Sequence, residues 1–222
     1  MSHFKRSLDN ADLAAYVSKQ LNNLFPDPNL IDDAYLLPYV QQAITRSFDC
    51  HRHILKKYYR DGDDTLFNHL NSDHYAMYLY LLSNTVHRAG GDESVASKLF
   101  LLNKALHGLD AFYSIQLPEV FLFVHPVGTV IGNGSFGNYF AIYQNCAVGA
   151  TPDGGYPSFG RGILMYAKSS VLGGCKVGSN VVFGANAFVL STDIPDDSTI
   201  VGSYPQNKIV DNHQPVIDRI FR

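Results

Sequence analysis

Three cysteines in 222 residues, Cys50, Cys146 and Cys175, are too few and too scattered to staple a fold through disulfides. They point to a reducing compartment. No run approaches the roughly 18 apolar residues needed to cross a bilayer, and the first twenty residues hold no unbroken apolar stretch of the signal-peptide kind. A cytoplasmic protein without a membrane span is therefore expected. Charge of either sign is scarce in excess: the formal net charge is −3, which removes the electrostatic case for nucleic acid or an anionic membrane surface. A 46% hydrophobic share, in turn, is too high for wholesale disorder.

Glycine is nearly missing from the first half. Gly62, Gly90, Gly91 and Gly108 precede residue 121, and 14 glycines follow it. Histidine runs the other way, with only His125 and His213 after that point. Such a shift marks an architectural boundary near residues 115–125. Before it, the pattern is helical. From Asp9, Leu13, Tyr16, Val17, Leu21 and Leu24 recur at three and four residues, one apolar stripe that Pro26 and Pro28 end. Further helices are predicted over 39–59, 75–86 and 94–113, with Asp61-Gly62-Asp63-Asp64 as a turn, Gly90 to Ser94 as a break and cap, and Leu117-Pro118 as a stop. A bundle of about four or five helices results.

After the boundary the period is six. Phe159, Met165, Val171, Val177, Phe183 and Val189 are spaced at six residues without a miss, and Val130, Phe136, Ile142 and Val148 form a second such run. Neither a helix nor a single strand explains this step; a parallel β-helix of hexapeptides does. Each large apolar residue points inward, and small residues turn the corners. Three hexads make one triangular coil of about 18 residues, so a little over three coils are expected. Between the runs, Val148 and Phe159 are eleven residues apart, which extrudes a loop over 150–158. The chain is thus read as α+β: a helical domain over 1–118, a β-helix over 119–204 and a tail over 205–222.

Four segments resemble the serine acetyltransferase family, whose members pair a helical amino-terminal domain with a left-handed β-helix. Lys104-Ala105-Leu106-His107-Gly108-Leu109-Asp110-Ala111-Phe112 resembles the family's K-G-F-H-A-L-Q-A-Y helix. The stretch from His125 through Pro126-Val127-Gly128-Thr129-Val130-Ile131 to Gly132 resembles H-A-T-G-I-V-V-G, which begins at the catalytic histidine. Residues 142–149 resemble I-L-Q-S-V-T-L-G, and residues 203–210 resemble the closing G-V-P-A-R-I-V with one insertion. The resemblance covers about residues 100–210. It departs where the family has an Asp before the catalytic His, here Val124, and an R-H-P on the extruded loop, here Gly155-Tyr156-Pro157. One early coil, with the Asp that orients the imidazole, is missing.

The resemblance implies an acetyl-CoA-dependent O-acetyltransferase with His125 as general base and direct attack by a small hydroxyl acceptor. The departures favour a sugar or nucleotide sugar as acceptor. Serine itself, an amino-sugar N-acetyltransferase and a non-catalytic trimeric scaffold are the alternatives. Asp110 and Glu119 are the nearest acidic residues to orient His125; otherwise they cap the helix or loop. Gln144 and Tyr156 are assigned to the acceptor, Tyr156 alternatively to loop packing. Gly149, Ala167, Ala185 and Lys208 are assigned to acetyl-CoA, against the plain alternative that corners need small residues and that an exposed Lys is solvated. Lys168 and Lys176 are weaker candidates. The assembly expected is a homotrimer or a dimer of trimers, since the cofactor groove lies between prisms. No metal is expected, because one His between residues 121 and 212 cannot supply a zinc site. Cys50-His51-Arg52-His53 and His69 to His74 read as polar helix surface, Cys146 and Cys175 as small core residues.

Overall fold

The structure is a computed structural model that describes residues 3–222; Met1 and Ser2, which open the expected helical domain, lie outside it. Helix α1 (Asn10–Leu24) starts where Asp9 accepts a hydrogen bond from the Asp12 amide, and it buries Leu13, Ala14, Val17 and Leu21. Helix α2 (Asp33–His51) begins six residues before the expected Tyr39, because the Asp32 side chain caps the Ala34 amide. It also stops earlier, leaving a single 3₁₀ turn at Lys57–Tyr59. Helices α3 (Ser72–Arg88) and α4 (Glu93–His107) follow. α4 does not reach Tyr113: Gly108 takes the left-handed conformation (φ 63°) and closes it. The predicted turn at Gly62 joins a hairpin of Arg60–Asp61 and Asp64–Phe67, and Phe4–Arg6 extends it to three strands, a sheet too short to show in the sequence. α3 is the hub, with every residue from His74 to Val86 buried.

The second half winds into a three-sided parallel column. One face stacks Phe121–Val124, Phe140–Tyr143, Ile163–Met165, Val181–Phe183 and Ser198–Val201. A second stacks Asp110–Ala111, Val130–Ile131, Ala147–Gly149, Ser170–Leu172 and Phe188–Leu190. The third stacks Ser135–Phe136, Ser158–Phe159 and Lys176–Val177. The six-residue spacing becomes register: Ile142, Met165 and Phe183 sit in one column, Val148, Val171 and Val189 in another, Phe136, Phe159 and Val177 in the third. Two faces carry five parallel strands, so the column has more turns than the expected three and a little. The extra turn comes from Asp110–Ala111 and Phe121–Val124, which carry no hexad. The column therefore takes its first strand from within the expected helical domain.

Beyond the column, Lys208–Asp211 pairs antiparallel with Ser198–Val201. The chain then returns through a short helix, α5 (Val216–Ile220), to the helical half, where the Arg222 amide donates to the His53 carbonyl at 2.8 Å and the Leu55 amide to that of Ile220 at 2.9 Å.

Candidate active site

Strand Phe121–Val124 is buried on both faces, between the strand Phe140–Tyr143 and α3, whose Tyr80 ring meets those of Phe121 and Phe123 at 5.5 and 6.1 Å. At its end the backbone departs from the repeat. Six residues separate Val124 from Val130, where four separate their partners Tyr143 and Ala147. The surplus bulges the corner as His125-Pro126-Val127-Gly128. His125 is in the left-handed region (φ 48°), as are Asn145, Lys168 and Asn186 at the later corners, and the Val127 amide closes back on the His125 carbonyl at 2.7 Å.

The bulge throws the imidazole outward, with its side chain 72% exposed. Asp73, on the first turn of α3, holds it from behind. One Asp73 carboxylate oxygen accepts from the His125 amide at 2.9 Å and lies 3.6 Å from Nδ1 of the ring. The carboxylate beside His125 is thus Asp73, and neither of the two expected residues is there. Asp110 is taken by Lys104 at 2.6 Å. Glu119 lies before strand Phe121–Val124, at the opposite end from His125. Asp73 escapes sequence reasoning because it stands 52 residues upstream on a helix; its one trace is the cap motif Asn71-Ser72-Asp73, where Asn71 accepts from the Asp73 and His74 amides. Burial raises the Asp73 pKa, while the His125 amide and the charges of His125 and Lys56 act to lower it.

Lys56 lies over the Tyr143 ring at 5.1 Å and donates to its hydroxyl at 3.2 Å, and the tilted Tyr166 ring lies 5.3 Å from that of Tyr143. Register places Tyr143 beside Val124, so this wall adjoins the His125 corner. In that corner Gln144, Ala167 and Ala185 follow one another down the column. The Gln144 side-chain carbonyl is buried without a hydrogen-bond partner. Gly149 is in a different corner, paired with Leu172. Lys208 is exposed on the closing strand, and Tyr156 is exposed on the extruded loop.

Two further readings change. His51 and His74 are not helix surface: both are buried and pack with Tyr59 and Phe67. Cys50, from the same motif, is buried against the Phe121 carbonyl. Cys146 and Cys175 are buried on the repeat.

A hexapeptide column with a carboxylate-backed histidine at a bulged corner, fronted by a helical domain, defines an acyltransferase of the left-handed β-helix class. No family model matches the chain. Serine acetyltransferase of Helicobacter pylori is 31% identical over 133 residues, 58% of this chain and 77% of that protein. The serine acetyltransferase structure of Neisseria gonorrhoeae is 25% identical with a TM-score of 0.70, covering 95% of this chain and 82% of that one; a second structure of that protein, in complex with serine, is 24% identical with a TM-score of 0.68, covering 92% and 84%. The chain belongs to the serine acetyltransferase family and is an acetyl-CoA-dependent acyltransferase.

Proposed function

We propose that the chain transfers acetyl from acetyl-CoA to the hydroxyl of a small acceptor, with His125 as general base, and that serine is the first acceptor to consider. The observation that carries the reading is the His125–Asp73 pair, an imidazole open to ligand whose Nδ1 side is occupied by a carboxylate. With the Asp73 carboxylate on the Nδ1 side, Nε2 faces outward to take the acceptor's proton. The alkoxide oxygen attacks the thioester carbonyl. The C–S bond breaks as the tetrahedral intermediate collapses, and the proton passes from the ring to the departing thiolate. Gln144, on the His125 corner, is assigned to the acceptor; Tyr156 leaves from the corner between the second and third faces, so it meets an acceptor only at the site of a neighbouring copy.

For acetyl-CoA we assign the groove along Ala167 and Ala185, with Gly149 and Lys208 reached from other sides of the column. Val127 and Val130 leave apolar surface exposed beside His125, which favours a second prism packing there and a trimer that shares the groove. No helix of the described residues is long and apolar enough to cross a membrane, in keeping with a cytoplasmic location.

Serine is favoured over a sugar because the relatives are serine acetyltransferases and one neighbouring structure holds serine. A sugar remains the second reading on two specific residues: Val124 is buried where the family has an Asp, and exposed Tyr156 replaces the loop His. Thiol release from acetyl-CoA, measured with serine, amino sugars, sugars and nucleotide sugars, separates them. Serine-dependent release is the expected result; release only with a sugar selects the second reading, and no release with any acceptor refutes both.

A further inference from the structure

A cavity of about 650 Å³ opens between the second half of α2, the last turns of α3 and the segment Leu117–Val120. Three guanidinium groups line it, Arg46, Arg52 and Arg88, against two carboxylates, Asp49 and Glu119. Only one contact offsets these charges among the described residues, a loose Arg52–Asp49 pair at 3.9 Å. Arg88 is exposed and has no ion pair. Arg46 is held rigidly but by neutral groups alone: Nη1 donates to the Leu81 carbonyl at 3.2 Å and the Thr85 hydroxyl at 2.7 Å, and Nη2 to the Asn84 amide oxygen at 2.9 Å. Burial and the Arg88 charge both disfavour the cation there, which an anion would relieve.

We propose that this cavity is a binding site for the phosphoryl group of a small molecule, separate from the acyl-transfer site. Arg46 on α2 and Arg88 on α3 converge from two walls, which suits a tetrahedral oxyanion that accepts from several directions better than a planar carboxylate served by one fork. The volume is that of an ordinary small-ligand pocket. The separation follows from α3 itself. Asp73, at its start, holds His125, while Thr85 lines the cavity twelve residues on, about 18 Å along the axis. A ligand there does not reach the reacting atoms. This holds whether or not serine is the acceptor.

Calorimetry with inorganic pyrophosphate on the full chain tests it. The wild type is expected to bind one pyrophosphate per chain. Arg88→Gln, on an exposed side chain that leaves folding intact, should weaken binding by about tenfold or more. Glu119→Gln, which removes a like charge, should tighten it. His125→Ala and saturating CoA should leave it unchanged. Absence of binding, binding indifferent to Arg88→Gln, or binding displaced by CoA would each overturn the proposal. So would uptake of malonate in preference to pyrophosphate, which would assign the site to carboxylates.

Discussion

Asp73 shows how a single side chain can do two jobs. It sits in the first turn of α3, where an acidic group complements the helix dipole, and it also accepts from the His125 amide with the ring Nδ1 3.6 Å away. Asp73→Asn keeps the size and the amide contact but removes the charge that steadies an imidazolium. We expect kcat to fall at least about tenfold with KM for acetyl-CoA unchanged and the fold intact by circular dichroism. A second prediction concerns His51 and His74. Burial pushes their pKa values down to about 4 and about 2, so both rings are neutral in the folded chain. The unfolded rings take a proton near the usual ~6.5. Below that pH the unfolded state binds more protons, so stability falls as pH falls, from about 6.5 down to about 4 for His51 and further for His74. Urea titrations at about pH 7.5 and 5 should differ by about 2 kcal/mol per ring; equal stabilities would contradict the buried neutral assignment.

At the scale of elements, legibility tracks where the information is stored. The hexad runs were readable because one inward residue per strand repeats along the chain, and register confirms them column by column. The first coil was not, because Phe121–Val124 is sealed by α3 as well as by its neighbour strand and reads as an apolar run. α4 ends six residues short of Tyr113 because Gly108, not Leu117-Pro118, supplies its stop. Asp73 was invisible as a partner because the contact joins two elements distant in sequence. Corner packing gives a test at this scale. A Cβ on Gly160 would stand 2.7 Å from the Gly178 backbone, which cannot yield without parting two coils. Gly160→Ala should cost about 1–3 kcal/mol and lower Tm by several degrees in a thermal melt. An unchanged melt would mean the coils are looser than the register implies.

Over the whole molecule, the helical half and the column are joined at several places. α3 packs on strand Phe121–Val124, Cys50 bonds to Phe121, and the carboxy-terminal residues return to His53 and Leu55. The site lies on the first of these joints, so the helical half supplies part of the chemistry. Light scattering after size exclusion should give a mass of three chains or six, because the exposed Val127 and Val130 beside His125 call for a partner. An active monomer would refute the shared groove. The catalytic claim itself is tested most directly by the acetyl-CoA thiol-release rate of His125→Ala with serine as acceptor. The ring is exposed, so the variant should fold and bind CoA as before, while kcat drops by about 10²–10⁴. Turnover within a few-fold of the wild type would contradict the account.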